Sequence, residues 1–308
     1  MTDASMTASG SVLGLVSPRG RVLPVVTVVA VIVAAWYLLA IALNYTRVSE
    51  QLAEANPDYS LGELIKGTWS MERPVLPAPD QIATDLWNST FGLKITSKRS
   101  LVYHAGVTAS ATLVGFLFGA ILGIVLAAGI VHVRTLDRSL MPWIIASQTV
   151  PILAIAPMII VVLGNVGVTG LIPKALISAY LCFFPVTIGM VKGLRSPDPL
   201  QMDLMRTYNA SQLQIFWKLR VPASVPFLFA SLKVAIAISL VGAIVGELPV
   251  GGAGLGARLL SGSYYGQMVQ IWSALFMAAF LGMALVYVIA GIEWLTLRRA
   301  GNHGGAHA

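Results

Sequence analysis

The sequence predicts an all-α, polytopic membrane protein with about six transmembrane helices. Two observations lead to this prediction: 56% of the 308 residues are hydrophobic, and only 11% are charged. Soluble domains contain about 25% charged residues, so a mean hydropathy of +0.80 places the chain among membrane proteins. The net charge of +7 fits basic loops on one side of a bilayer. The sequence does not show the alternation of aromatic and basic residues that would favour a nucleic-acid partner.

The six predicted spans are apolar windows of about 20 residues, the length needed to cross the hydrocarbon core. In chain order they are Leu23–Leu43, Val107–Val131, Leu140–Leu163, Leu171–Val191, Ala223–Val245 and Ile271–Leu295. The third contains Pro142, Pro151 and Pro157, so we expect a kinked or broken helix there. The first is longer than a signal-peptide core and has no small-x-small cleavage site after it, so we interpret it as a retained anchor.

The basic residues predict the orientation, because Lys and Arg are enriched in cytoplasmic loops. With the N-terminus inside, the cytoplasmic segments hold eleven Lys and Arg residues, whereas the short outer loops after spans three and five hold only Arg258. Six spans then place both termini in the cytoplasm of a multi-pass protein of the bacterial plasma membrane.

The predicted organisation has five parts. They are a flexible tail 1–22, an anchor 23–43, an extracytoplasmic segment 44–103, a transmembrane core 104–299 with a cytoplasmic loop 192–222, and a flexible tail 300–308. Within the extracytoplasmic segment we expect short surface helices near Leu61–Ile65 and Asp80–Trp87.

The loop 192–222 is too polar to cross a membrane and carries clear helix signals. Asp198 is suited to cap a helix, Pro199 to its first turn, and Gln201 to the reciprocal position of a capping box. An apolar stripe with a spacing of four follows, formed by Leu200, Leu204 and Tyr208.

A second helix is predicted directly after the first. Asn209 is suited to a left-handed helix end, Ser211 with Gln214 forms a capping box, and Pro222 is expected to end this helix. Two interpretations of the pair remain open on these residues alone. The helices either rest on lipid headgroups or dock into a groove of a cytosolic partner.

The loop resembles the conserved cytoplasmic loop, often called the EAA loop, of binding-protein-dependent ABC importer permeases. The matching stretches are Asp203-Leu204-Met205, Asn209-Ala210-Ser211 and Leu219-Arg220-Val221-Pro222. This sequence has Asp where that pattern has Glu, Leu-Met where it has Ala-Ala, and Asn where it has Gly. Asp keeps the acid, and Asn keeps access to positive φ.

The resemblance extends over about residues 72–298. Over this range the sequence is similar to the sulfonate/nitrate/taurine-type branch of these permeases, which includes transporters for pyrimidine precursors and riboflavin. The collinear motifs are Leu76–Pro79, Val150–Pro151, Ala156–Pro157, Pro173–Lys174, Phe184–Pro185, Gly193–Ser196, Pro222–Pro226 and Gly254–Gly256. The resemblance implies a type I ABC importer permease (MetI-like) fold.

The resemblance also implies partners: a second permease copy, a dimer of ABC ATPase subunits, an extracytoplasmic solute-binding protein and the lipid bilayer. ATP and Mg would bind to the ATPase, with no cofactor in this chain. The residues implied to dock into the ATPase are Leu200, Asp203, Leu204, Arg206, Thr207, Tyr208, Asn209, Ala210, Ser211 and Pro222. The solute would be a small sulfonate, nitrate, taurine or pyrimidine-like compound.

The sequence contains no phosphate-binding loop of the form GxxxxGK[ST], so we expect no ATP hydrolysis by this chain. The run Gly251–Gly256 lacks the lysine, and we interpret it as a flexible turn between spans. We also find no catalytic triad and no zinc motif. The alternative function, an ion-coupled secondary transporter, would be expected to show midplane acidic or histidine relays and inverted repeats.

Polar residues within spans are candidates for lining a transport pathway. They are Gln148, Thr149, Tyr180, Ser239 and Glu247. The alternative for each is a hydrogen bond between helices, and for Glu247 a structural partner on the outer side. Lys233 is too far from Glu247 along one helix to pair with it, and snorkelling to the interface explains Glu293. We expect Gly115, Gly119 and Gly123 to pack closely against a neighbouring helix, and Cys182 to be an inert buried side chain.

Overall fold

The computed structural model describes residues 18–55, 58–250 and 252–302, and these residues form helices without any strand. The helices of the described ranges are α1 Pro18–Ala55, α2 Leu61–Ser70, α3 Pro79–Phe91, α4 Leu101–His132, α5 Arg134–Ser147, α6 Ile152–Asn165, α7 Leu171–Leu194, α8 Pro199–Thr207, α9 Gln212–Ile215, α10 Val221–Glu247, α11 Leu255–Tyr264 and α12 Met268–Asn302. Most of the two predicted flexible tails lies outside the described residues. Residues 18–22 and 300–302, assigned to those tails, are helical instead.

Five helical segments in the described ranges are long and apolar enough to cross a membrane, and a bent pair brings the number to as many as six. The bent pair is α5 with α6, whose axes differ by 96°. This confirms the predicted break in the third span. Pro151 lies at the break. Proline interrupts the helix because it has no N–H to donate and because it disfavours the helical conformation in the residue before it.

The first compact unit ends at Thr84 and contains α1 and α2. The helix α1 continues beyond residue 43, the predicted end of the anchor, to Ala55. Asn44 is fully buried, its amide donates to the backbone oxygens of Thr68 and Leu76, and its Oδ1 accepts from Val75 N at 2.7 Å. This side chain therefore ties the helix to the chain that follows it.

The two short helices predicted in the segment 44–103 are confirmed as α2 and α3. α2 begins with a capping box in which Ser60 and Glu63 bond reciprocally. The bond from the Ser60 N–H lowers the pKa of the Glu63 carboxyl below its ordinary value, because that bond favours the charged form.

The second compact unit runs from Asp85, and α4, α7 and α10 form its centre. Glycines on α4 allow it to approach α7 closely: an alanine Cβ at Gly119 would lie 2.8 Å from the Ala179 oxygen and 2.9 Å from Cys182 Cβ. Gly123 meets Val186 of α7 in the same way. The expected close packing is confirmed, its partner is α7, and Cys182 is buried in that interface.

The end of the chain differs from its prediction in two respects. The loop after span five, predicted as a turn on the outer side, contains the ten-residue helix α11. In addition, Lys233 of α10 bonds Glu293 of α12 at 2.8 Å. Glu293 is therefore half of an ion pair between helices, rather than a snorkelling side chain. The ion pair has no local sequence signal, since it joins residues 60 positions apart in the chain.

Candidate functional site

The most distinctive surface is the segment 195–220 between α7 and α10, which we call the elbow. Its first helix, α8, begins where the Asp198 side chain accepts a hydrogen bond from Leu200 N at 2.8 Å. Pro199 occupies the first turn, where a missing N–H costs nothing. The cap at Asp198 is confirmed, but Gln201 does not complete a capping box.

α8 ends in a left-handed turn at Asn209, which has φ 54° and is the one non-glycine residue with positive φ in the described ranges. Asn209 N donates to Arg206 O at 2.8 Å, and Ala210 N donates to Met205 O at 3.0 Å. These two bonds are those of a Schellman motif, which satisfies carbonyls left free at a helix end. The prediction for Asn209 is confirmed, and the motif turns the chain sharply after α8.

The second arm of the elbow begins with the predicted capping box. Ser211 N donates to the Gln214 side chain at 2.8 Å, and Gln214 N donates to the Ser211 hydroxyl at 3.3 Å. The predicted stop at Pro222 is wrong. After α9, a π-helical turn over Phe216–Arg220 leads directly into α10.

The π-helical turn explains how the helix passes Pro222. Val221 N bonds Phe216 O, five residues back, so the turn is wider than in an α-helix. Pro222 then falls at the start of α10, where its missing N–H is tolerated. As a result, the second arm of the elbow and the membrane-crossing helix form one continuous helical segment from Gln212 to Glu247.

The elbow exposes a row of large apolar side chains. The exposed fractions are 77% for Leu200, 56% for Leu204, 78% for Tyr208, 65% for Leu213 and 61% for Trp217. Grouped exposed apolar side chains mark an interaction surface, whereas single ones need no explanation.

The charged pair on the elbow contributes little to holding it in place. Asp203 meets Arg206 at 3.2 Å with both side chains 67% exposed, and exposed pairs of this kind are worth about 0–1 kcal/mol. Both charges therefore remain accessible to a partner.

The elbow is fixed to the rest of the second unit through its inner side. Ile215 is 1% exposed, and the Phe216 ring lies 4.5 Å from the His132 ring at the end of α4. Arg195 forms an ion pair at 2.9 Å with Asp137 of α5. The elbow therefore contacts α4 and α5 through its inner side and continues into α10.

The implied docking residues all lie on or beside this elbow. Nine are exposed and Ala210 is half-buried; one of the nine, Pro222, lies past the π-helical turn. Sequence reasoning missed the anchoring side chains Ile215, Phe216, His132 and Asp137. Only Phe216 carried a local signal, as an apolar residue on the inner face of the second arm.

Two of the five candidate pathway residues meet at the break between α5 and α6. Gln148 donates to the Ser147 hydroxyl at 3.2 Å, and the Tyr180 hydroxyl of α7 donates to the Ser147 backbone oxygen. Thr149 is exposed and bonds only its own turn, at Ala146 O. These groups surround the end of the broken span.

Ser239 forms hydrogen bonds between helices. It is fully buried, donates to Thr112 O at 3.0 Å and shares a hydrogen bond with the Ser178 hydroxyl at 2.6 Å. This is the alternative stated for it, a hydrogen bond between helices, and it joins α4, α7 and α10 at one point.

Glu247 is also structural. It is fully buried, and its carboxylate accepts from the Thr108 hydroxyl at 2.9 Å and from Gly256 N at 2.8 Å. Gly254 has φ 127°, and a Cβ at this position would collide with the Glu247 carboxylate. Its oxygens are occupied by Thr108 and by a turn of its own chain, which is the structural alternative stated for Glu247.

That turn, residues 252–256, is the glycine turn. Gly254 N donates to His104 Nδ1 at 3.0 Å, Leu255 N donates to the Thr108 hydroxyl at 2.8 Å, and Lys174 Nζ donates to Ala253 O at 2.9 Å. The turn is therefore held by side chains from α4 and α7, and the expected flexibility is not observed. Sequence reasoning missed His104 and Thr108, which lie one helical turn apart on α4.

No cluster of metal-binding side chains is present in the part of the chain that the structure describes. The described residues thus form two distinctive features. The exposed elbow lies at one end of α4, α7 and α10, and the glycine turn, held by side chains, lies at the other end.

Comparison with known proteins supplies the family. Residues 119–297 match the family described as binding-protein-dependent transport system inner membrane component. The chain belongs to this family. The permease therefore provides the membrane-spanning part of an ABC importer, and ATP hydrolysis belongs to a separate subunit. The importer interpretation is confirmed over the ion-coupled carrier.

Three relatives cover most of the permease. A probable ABC transporter permease protein of Haemophilus influenzae is 27% identical over 77% of this chain and 90% of the relative. The riboflavin transport system permease protein RibX of Chloroflexus aurantiacus is 31% identical over 71% and 77%. The formylaminopyrimidine transport permease protein ThiX of Halalkalibacterium halodurans is 28% identical over 72% and 85%.

Proposed function

We propose that two copies of this permease form the pathway for a small solute in a bacterial plasma membrane, and that the elbow of each copy docks into one subunit of a cytosolic ATPase dimer. A solute-binding protein delivers the solute on the outer side. The observation that carries this proposal is the row of five exposed apolar side chains on an elbow whose other side is anchored.

The apolar row favours a protein partner over lipid headgroups. A helix that rests on headgroups typically has Lys and Arg on its polar face and its apolar face along one side. Here α8 carries one basic residue, Arg206, already beside Asp203. The other basic residues of the elbow lie outside α8 and are Arg195, Lys218 and Arg220. The row also spans two arms that meet at the Asn209 turn. A groove that accepts a bent pair of short helices matches this shape.

The contacts of the elbow support placing it in the cytoplasm. The Phe216–His132 and Arg195–Asp137 contacts bring the elbow next to the start of α5, which carries Arg134 and Arg138. Basic residues from two separate segments thus lie on one side of the bundle, as the distribution of Lys and Arg in membrane proteins requires of the cytoplasmic side. Both termini would then be cytoplasmic if α5 and α6 count as one span.

The proposed mechanism is a rigid-body switch. ATP binding draws the ATPase subunits together, and each elbow moves with its subunit. Because the second arm continues into α10 as one helical segment, and because Phe216 contacts α4, the motion reaches the spans without a flexible joint. Packed helices change between discrete arrangements, so the bundle alternates between inward-open and outward-open states.

The names of the relatives support a proposal for the class of solute. Those named above transport riboflavin and formylaminopyrimidine according to their names, and others are named for aliphatic sulfonates and nitrate. We infer a small sulfonate, nitrate or heterocyclic solute for this permease.

A charge placed in the apolar row tests the proposal. Leu204→Glu should abolish co-purification of the ATPase with the permease, because a carboxylate would be buried without a partner in the docking groove. The matched control is Leu61→Glu on α2, where leucine is 78% exposed and outside the elbow. The control complex should assemble as the wild type does. A Leu204→Glu complex that assembles and couples ATP hydrolysis normally would refute docking through this surface.

A further inference from the structure

A cavity of about 600 Å³ lies between α11 and the first turn of α4. Its volume is in the range of small-molecule sites, about 300–1,000 Å³. The glycine turn contributes Gly252 to its wall. The side chains that give the cavity its chemistry are Lys98, His104, Arg258, Ser261, Tyr264 and Tyr265.

The cavity is positively charged. Lys98 and Arg258 both line it, and none of its lining residues is acidic. Asp85 is the acidic group that acts on Arg258, but its Oδ2 is buried without a hydrogen-bond partner, and so is Nε of Arg258. Burial lowers the pKa of the Arg258 guanidinium and Asp85 opposes this, yet an arginine stays protonated at any physiological pH.

The Arg258 guanidinium is suited to hold an anion in the cavity, because it lines the cavity wall. Arginine presents a planar set of donors that matches the oxygens of carboxylate, sulfonate and phosphate groups. Such a group in the cavity would lie beside the two cationic side chains of its wall, Lys98 and Arg258.

The wall beside these charges is rigid. His104 Nδ1 accepts from Gly254 N, so its proton lies on Nε2, which donates to Lys98 O at 2.9 Å. One neutral imidazole thus fixes the backbone of Lys98 to the glycine turn, and the ammonium-bearing residue is held at the rim of the cavity.

Two tyrosines complete the site. Tyr264 and Tyr265 are 80% and 70% exposed, although large aromatic side chains favour burial. Their rings offer flat surfaces on which a planar group of a ligand can stack, and their hydroxyls are further donors.

We propose that this cavity is an outer binding site for a small organic anion with a planar part, and that the imported solute belongs to this class. This inference rests on the proposed function, which puts α11 on the outer side. Among the solute classes of the relatives it favours sulfonate-like anions over neutral heterocycles. A whole small molecule fits the volume better than a single acidic side chain of the solute-binding protein, which would leave most of it empty.

The test uses two probes of the same shape and different charge, benzenesulfonate and benzenesulfonamide, with the intact permease in nanodiscs. Binding is measured by ligand-observed NMR titration. Benzenesulfonate should bind at least about tenfold more tightly than the neutral amide, since bonds between ionised groups are roughly twice as strong as neutral ones. Lys98→Gln should weaken benzenesulfonate binding about fivefold, Arg258→Gln should weaken it more, and Arg258→Lys should recover part of the loss.

The matched control is Lys94→Gln, an exposed lysine near Lys98 that does not line the cavity; it should bind as the wild type does. Lys98 is also exposed, so its variant tests the charge even if an Arg258 variant fails to fold. Equal binding of the two probes would overturn the inference. So would charge variants that keep benzenesulfonate but lose the solute-binding protein, which would identify the cavity as a protein contact. Leu204→Glu should keep probe binding while losing the ATPase, so the two proposals fail separately.

Discussion

Replacing Gly119 by alanine should destabilise the permease, because this glycine is where α4 and α7 approach each other. The added Cβ would lie 2.8 Å from the Ala179 backbone oxygen and 2.9 Å from Cys182 Cβ, whereas ordinary contact begins at 3.4 Å. Neither neighbour can rotate away, since one is backbone and the other is the first carbon of a side chain. The helices must therefore separate by about 0.5 Å, which forfeits a large part of the dispersion energy along the interface.

The expected cost of this overpacking is about 1–3 kcal/mol. The control is Gly106→Ala on the same helix, where a Cβ meets nothing within 4 Å. Both variants gain about 1 kcal/mol of helix propensity, so the difference between them isolates the clash. We expect the Gly119 variant to have the lower midpoint in thermal unfolding of the detergent-solubilised protein. Equal midpoints would refute the close approach of α4 and α7.

Three further predictions concern the elbow, the glycine turn and the ion pair. Asn209→Val should uncouple ATP hydrolysis from solute uptake, since β-branched residues resist positive φ, whereas Asn209→Gly should couple normally; equal coupling would contradict the left-handed turn. Glu247→Ala should speed amide exchange at Gly256, because its N–H loses its acceptor, and unchanged exchange there would contradict the pinning. Lys233→Met should lower the unfolding midpoint by leaving a carboxylate unpaired, and adding Glu293→Met should restore it; a double variant no better than the single would contradict the pairing.

The parts of the fold that could be predicted depend on short stretches of sequence. Pro151 marked the break between α5 and α6 because proline removes a hydrogen bond wherever it lies. Asn209 and Ser211 marked the elbow because a left-handed turn and a capping box each involve residues within five positions. These signals need no knowledge of the rest of the molecule.

The parts that could not be predicted depend on residues far apart in the chain. Glu247 was a candidate pathway residue because the sequence around it does not identify its partners. Those partners, Thr108 and the N–H of Gly256, are set by how α4 and α10 pack. Glu293 looked like an interfacial side chain until α12 was placed against α10. A polar residue in an apolar helix indicates that it has a partner, but the sequence of the helix does not identify that partner.

Pro222 shows a different limit. The rule that proline ends a helix assumes α-helical spacing, and the π-helical turn before Val221 removes that assumption. No residue in Phe216–Arg220 signals a π-turn by type. The consequence is functional, because it makes the elbow continuous with a membrane-crossing helix.

The measurement that tests the central claim most directly is labelling of Leu200→Cys by a membrane-impermeant maleimide. The single native cysteine, Cys182, is fully buried, so the introduced thiol reports alone. It should react in inside-out vesicles, fail to react in right-side-out vesicles, and be protected when the ATPase is bound. Reaction from the outer side, or labelling that the bound ATPase leaves undiminished, would contradict the proposal that the elbow is the handle of a cytosolic motor.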